Sequence, residues 1–329
     1  MVHFTISLAM RFLVSTISLL SLQVSSLSFA PPPLTTGKRK HEKTTCLWDS
    51  SSDTSAISSS SEHDIDQLVK LCYASSLSYL PIDSISSSPY ADVAQSLRPI
   101  TQVVEPTTES GATLFECTEE GDDTIIVACR GSATPKNFVT NLRFQLKPLS
   151  KKLIANSEEE DARGHEGFQE AAAGLWERLE PNLMGGTIGG RNRKIIFTGH
   201  SLGAGTSEMT ALHAAAASTG GTEISQITTF GGPCIGDAAF VRHVNDGALA
   251  NTDIKHIVHD YDPILFNNGP LWEKLGFERS GMTLECDPHE ARILTKGRND
   301  NDEGPFRIPP FNILDHCKYL GVFVGPRLR

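Results

Sequence analysis

No stretch narrows the choice of fold more than residues 194–217, KIIFTGHSLGAGTSEMTALHAAAA. A short apolar run, Ile195-Ile196-Phe197, leads into Gly199-His200-Ser201-Leu202-Gly203, and an alanine-rich segment with helical spacing follows. The pattern predicts a strand, a tight turn and a helix. A serine at such a turn takes a strained backbone conformation that lifts its hydroxyl clear of the sheet. Only residues as small as Gly199 and Gly203 let strand and helix approach closely around it. The G-x-S-x-G spacing makes Ser201 the candidate nucleophile, expected to be exposed and to make few packing contacts.

The rest of the chain supplies a sheet for that turn. Residues 114–117 and 124–129 read as two strands joined across the polar turn Glu119-Glu120-Gly121-Asp122-Asp123. Further strands are expected at 224–230 and 254–258. Helices are expected at 166–179, stopped by Pro181, from about Asp237, and from about Ile313 to form the last one. Ile65, Leu68, Val69, Cys72, Leu77 and Leu80 recur at mostly helical spacing before Pro81. Strands alternating with helices predict an α/β fold, with a mostly parallel central sheet and helices on both faces.

Composition removes several functions. The 329 residues, 39% of them hydrophobic, can bury a substantial core, and a net charge of -10 argues against a nucleic-acid partner. The one dense basic cluster, Lys38-Arg39-Lys40, falls where no apolar periodicity supports a fold. Seven cysteines form no C-x-x-C pair and no zinc spacing, so buried thiols with one or two disulfides are expected. Asp300-Asn301-Asp302-Glu303-Gly304 lacks the ligand spacing of a calcium loop and reads as a solvated turn. The glycine-rich residues 185–190 precede a strand instead of opening a helix, which argues against phosphate binding.

The N-terminal residues 1–28 read as a cleaved signal peptide. Their apolar run is too short, and too rich in Ser and Thr, to span a bilayer, so no transmembrane helix is expected. Residues 29–61 read as a disordered linker or transit peptide, and 62–329 as the globular domain. The junction Ser28-Phe29-Ala30-Pro31, followed by a basic, Ser/Thr-rich tract, resembles the bipartite presequences of diatoms and related algae. That resemblance implies a plastid address, favoured here over secretion.

A serine hydroxyl needs a histidine to take its proton and a carboxylate to orient that histidine. On a sheet of this kind the chain order is Ser, Asp or Glu, His. The carboxylate belongs in a loop just past a strand, at the carboxyl end of the sheet. Ile257-Val258-His259-Asp260-Tyr261-Asp262-Pro263 offers two, and Asp262 is preferred to Asp260 because it lies farther past the strand and Pro263 keeps the chain extended beyond it. Of the histidines after Ser201, all but His289 and His316 precede or nearly touch that carboxylate, and His316 is taken as the base. His200 is read as a packing residue. An oxyanion hole needs two donors. One is the backbone N–H of Leu202; the other is expected in Cys129-Arg130-Gly131-Ser132, with Ser132 adding its hydroxyl.

Four stretches resemble the class 3, fungal-type lipases, in that family's order. They are residues 126–142 around Arg130-Gly131-Ser132, the His165-Glu166-Gly167-Phe168 signature, residues 199–205, and Thr229-Phe230-Gly231-Gly232-Pro233 through Gly236-Asp237. The resemblance runs over roughly 62–325 and implies an α/β-hydrolase fold, a catalytic Ser201, Asp262 and His316, and an oxyanion hole of Ser132 and Leu202. It implies no metal or organic cofactor. Cys234, Asp237 and Phe138 depart from the family's usual Arg, Asn and Trp, and the strand to Asp262 lacks the Pro usual soon after Val.

The activity implied is hydrolysis of a lipid ester through an acyl-enzyme, at a membrane or an oil-water surface. A galactolipase or phospholipase A1, a soluble-ester esterase of the feruloyl type, and a catalytically silent lipase-fold binding module are the alternatives. Phe138, Val139 and Leu142 give residues 133–147 the narrow apolar face of a short helix, and in lipases similar to this chain the corresponding segment is a lid.

Overall fold

The computed structural model describes residues 58–92, 95–118, 123–131, 145–154, 159–184, 193–218, 222–260, 262, 275–294 and 314–326. Contacts divide the chain into residues 1–64 with 327–329, and residues 65–326; the second unit holds the sheet. Ser132, the calcium-like acidic stretch, the 185–190 glycines and most of the 133–147 segment lie outside the described residues. The end of that last segment belongs to a strand instead of the expected helix.

In chain order the elements begin with helix α1 (Ser58–Leu77) and strands β1 (Leu97–Val104), β2 (Gly111–Cys117) and β3 (Thr124–Arg130). A small pair follows, β4 (Leu146–Pro148) and β5 (Arg163–His165), then helix α2 (Glu166–Met184) and β6 (Arg193–His200). Helix α3 (Leu202–Ala217), β7 (Thr222–Phe230), helix α4 (Ala238–Arg242) and β8 (Asp253–Val258) come next. The described chain ends with β9 (Met282–Glu285) and the short strands β10 (Lys318–Tyr319) and β11 (Val322–Phe323). Seven strands form one sheet in the order β1-β2-β3-β6-β7-β8-β9. From β3 to β9 every pairing is parallel, while β1, β2 and β3 pair antiparallel. The expected hairpin over β2 and β3 is present, and β1 extends it by one strand that the sequence patterning did not single out.

Alternation along the strands divides the core between the two faces of the sheet. Ile125, Val127 and Cys129 of β3, with Ile195 and Phe197 of β6, join Leu175 and Trp176 of α2 and Met209 and Leu212 of α3. The intervening Ile126, Ala128 and Ile196 join Leu71, Ala74 and Leu77 of α1, with Tyr319 and Val322 of the C-terminal hairpin. This period of two, on strands that are apolar on both sides, marks a sheet covered by helices on both faces.

Three expectations require correction. Helix α2 does not stop before Pro181 but runs on to Met184 with the proline inside it. Pro181 falls in the last turn, where its missing N–H forfeits one hydrogen bond and little helix remains to be disrupted. The last helix is absent: Asp315–Cys317 form a single 3-10 turn, followed by the β10–β11 hairpin. Leu320 and Gly321, at φ 52° and 77°, make the two-residue turn of that hairpin, and a right-handed helix cannot pass through two such residues. No disulfide is found among the described residues. Cys129 is a core side chain on one face and Cys72, Cys117 and Cys286 are core side chains on the other, and burial pushes the Cys286 thiol up to about 12.

Candidate active site

The site is assembled at the carboxyl ends of the parallel strands. Ser201 follows β6 directly and sits at φ 58°, ψ -124°, a strained conformation for any residue but glycine. Its N–H donates to the Phe230 carbonyl at 2.9 Å, which ties the turn to the end of β7. The flanking glycines are required by close approach. A Cβ on Gly199 would lie 2.3 Å from the Gly203 carbonyl oxygen, and one on Gly203 would lie 2.2 Å from that of Cys129. The expected exposure of Ser201 does not hold, because the residue retains 8% of its accessible surface. The elbow lifts the hydroxyl off the sheet, yet that edge also carries the buried Asp262, His259 and His316, so standing clear of the sheet is not standing in solvent.

Asp262 lies past the end of β8, and His316 lies in the 3-10 turn before β10. His316 Nδ1 donates to Asp262 Oδ2 at 2.7 Å, and both side chains are buried. With its hydrogen on Nδ1, the neutral ring carries a lone pair on Nε2. That nitrogen is buried and has no hydrogen-bond partner among the described residues. Asp260, the second carboxylate considered, is exposed, and the histidine pairs with Asp262 instead. Leu202 opens α3, so its N–H is among the helix-start donors without a carbonyl inside the helix.

Two groups at the site carry no signal in the sequence. Tyr319 is fully buried, and its hydroxyl donates to the same Asp262 oxygen that accepts from His316. Burial, with Asp262 beside it, raises the phenol well above its ordinary range and keeps it a donor. Gly231, at φ 57°, makes room: a Cβ there would stand 2.3 Å from the Tyr319 oxygen and 3.0 Å from Asp262 Oδ2. His259 also takes part, its Nε2 donating to the Asp315 carbonyl at 3.0 Å while its ring packs on Tyr319. Nothing local marks Tyr319, three residues past a candidate histidine, as a partner of a carboxylate 57 positions earlier.

Similar proteins come from several fungi. The chain is 24% identical over 213 residues to a lipase of Rhizomucor miehei, a segment covering 63% of this chain and 54% of that protein. It is 27% identical over 161 residues to the secreted mono- and diacylglycerol lipase 1 of Fusarium solani, covering 48% and 43%. The chain thus spans about half the length of these curated relatives. Among solved structures, lipase II from Rhizopus niveus superposes with a TM-score of 0.62 at 18% identity, over 80% of this chain and 97% of that one. The nonglycosylated LIP2 lipase of Yarrowia lipolytica gives 0.63 at 17%, over 80% and 96%. These likenesses show the fold, the α/β-hydrolase arrangement of a mostly parallel sheet. Residues 126–266, which hold the end of β3, the elbow and Asp262, match the model of the class 3 lipases.

Proposed function

We propose that the chain is a serine hydrolase of lipid carboxylic esters. The observation that carries this is the buried His316 imidazole, oriented through Nδ1 by Asp262 and left with an unpartnered Nε2, on the same sheet edge as a strained serine elbow. A base held in one tautomer beside a nucleophile is the requirement for acyl transfer. The lipase relatives support a lipid ester as substrate.

In the proposed cycle Ser201 Oγ attacks the acyl carbonyl while His316 Nε2 takes the hydroxyl proton. The negative charge that develops on the carbonyl oxygen is met by the N–H of Leu202 and by Ser132. As the tetrahedral adduct collapses, His316 returns the proton to the departing alcohol and leaves the acyl group on Ser201. Water then enters and adds to the acyl carbon as it gives a proton to His316, and when this second adduct collapses His316 passes that proton to Ser201 Oγ and the carboxylic acid leaves. Asp262, aided by the Tyr319 hydroxyl, stabilises the imidazolium formed in each half. The signal-like residues 1–28 and a secreted relative support entry into the secretory pathway. A plastid address rests on the Phe29 junction. A reporter fused behind residues 1–61 and expressed in a diatom tests it, and secretion of the fusion would overturn it.

Ser201→Ala tests the reaction itself. The variant should stay folded and lose about a thousandfold or more in kcat/KM on an emulsified ester. An active-site phosphonate should label the natural chain at Ser201 and leave the variant unlabelled. A natural chain that binds lipid but takes no label would instead identify a silent binding module.

A further inference from the structure

The turn carrying His316 has few backbone anchors. Cys317 N–H bonds to the Leu314 carbonyl, Lys318 N–H to that of Asp315, and Val324 N–H to that of Cys317. The carbonyl of His316 itself is met by a side chain, His200 Nε2, at 2.8 Å. His200 is the last residue of β6 and immediately precedes Ser201, so it is held by the sheet. Its ring packs against that of His316, with centroids 4.6 Å apart and planes at 40°.

Simple chemistry assigns the protons. A carbonyl only accepts, so His200 Nε2 bears the hydrogen. Burial, and then the neighbouring His316, hold His200 at about 3; the ring is neutral and its Nδ1 is an acceptor. Tyr79 Oη lies 2.9 Å from that Nδ1, and burial keeps the phenol protonated, so Tyr79 donates. Gly131 lies against the same phenol oxygen, where a Cβ on it would stand 2.1 Å away. One string therefore runs from Tyr79, packed against Gly131, through His200 to the backbone of His316.

We propose that Tyr79 and His200 are positioning residues: Tyr79 fixes the tautomer of His200, and His200 holds the main chain of His316 so that its imidazole stays in register with Ser201. The inference rests on the hydrolase reading above. Without the Nε2 donor, the buried His316 carbonyl must find another partner by moving, and a displacement of about 1 Å at a reacting group costs on the order of a hundredfold in rate.

Steady-state kinetics on a soluble ester test this. His200→Ala should lower kcat about 30-fold with KM within about twofold, because geometry and not substrate binding is lost. His200→Gln, whose amide N–H reaches the place of Nε2, should recover all but about fivefold. Tyr79→Phe should cost about tenfold alone and nothing further in the His200→Gln background, where no Nδ1 remains to orient. Equal losses in His200→Ala and His200→Gln, a loss confined to KM, or the same Tyr79→Phe penalty in both backgrounds would overturn the proposal. Thermal unfolding monitors each variant, and should His200→Ala not fold, the His200→Gln pair with and without Tyr79→Phe decides. Phosphonate labelling separates the two readings. A natural chain that takes the label, with variants of unchanged kcat, sinks the positioning role alone; a natural chain that takes none and hydrolyses nothing sinks both.

Discussion

The serine elbow and the histidine turn stand on the same edge of the sheet but are held in opposite ways. Around Ser201 the geometry is set by main chain: β6 and α3 enter and leave within a few residues, and Gly199 and Gly203 bring backbone onto backbone. Around His316 the geometry is set by side chains from elsewhere: Asp262 grips the ring, while His200 and His259 grip successive carbonyls. The one 3-10 turn in between supplies little order of its own. Main-chain packing fails all at once when a methyl group intrudes. Side-chain anchoring fails piece by piece, and each piece can be removed separately.

The largest expected effect breaks the first kind of support. In Gly203→Ala the new Cβ would meet the Cys129 carbonyl oxygen at 2.2 Å and the Arg130 carbonyl carbon at 2.7 Å. Both are backbone atoms at the end of a central strand, so neither can swing aside. Overpacking that only backbone movement relieves, at the centre of the sheet, should cost about 4 kcal/mol or more and leave no cooperative thermal transition near that of the natural chain. A variant melting within a few degrees of it would show that the elbow is more forgiving than its contacts indicate.

Next comes the second kind of support, at its strongest link. Asp262→Asn keeps the shape but presents an amide to His316 Nδ1, which favours the tautomer with the hydrogen on Nε2 and so removes the base. A loss of about a thousandfold or more in kcat is expected with the protein still folded. Asp260→Asn, at an exposed carboxylate, should change kcat by less than about threefold. Reversed losses would move the carboxylate role by two residues.

A smaller effect separates the two donors on that carboxylate. Tyr319→Phe removes the hydroxyl from Asp262 and leaves His316 in place. A buried hydrogen bond to a charged group contributes about 2 kcal/mol, so stability should fall by about that much and kcat by about tenfold. Unchanged kcat with lowered stability would make Tyr319 a packing residue and leave His316 to hold the carboxylate alone.

The same contrast explains what the sequence made legible. The backbone of the elbow was readable because strand, turn, glycines and helix lie within 24 consecutive residues, and local spacing determines them. The pairing of Asp262 with His316 follows a reading made from a place after a strand and from order along the chain. What holds them was not readable, since Tyr79, His200, His259 and Tyr319 meet the site from positions scattered across more than 200 residues with no periodicity to connect them. The last helix failed for a related reason. Apolar residues recurring near the C-terminus suit either a helix or a hairpin, and only the backbone at Leu320 and Gly321 distinguishes the two. The burial of Ser201 was equally hidden, because exposure depends on neighbours that the elbow pattern does not encode.

The smallest effect comes from a third turn that holds itself together. Glu105, at the end of β1, folds its carboxylate back onto the N–H groups of Thr107 and Thr108, at 2.8 and 2.5 Å, and onto the Thr108 hydroxyl at 2.7 Å. Burial pushes this carboxyl up, but the hydrogen bonds from Thr108 and Thr107 outweigh it and hold the group at about 2, against an ordinary 4.5. As pH falls, the unfolded chain takes up the proton first, so the stabilisation is full above about 4.5 and disappears as pH approaches 2. Glu105→Gln keeps the shape and loses the charge. It should lower stability by about 1 kcal/mol at pH 7 and leave kcat unchanged, since this turn contributes nothing to the site. Below pH 4.5 the gap between the natural chain and the variant should narrow steadily in denaturant titrations. A gap that stays constant from pH 7 to 3 would mean that the charge is not what closes the turn, and that side-chain anchoring matters here only through shape.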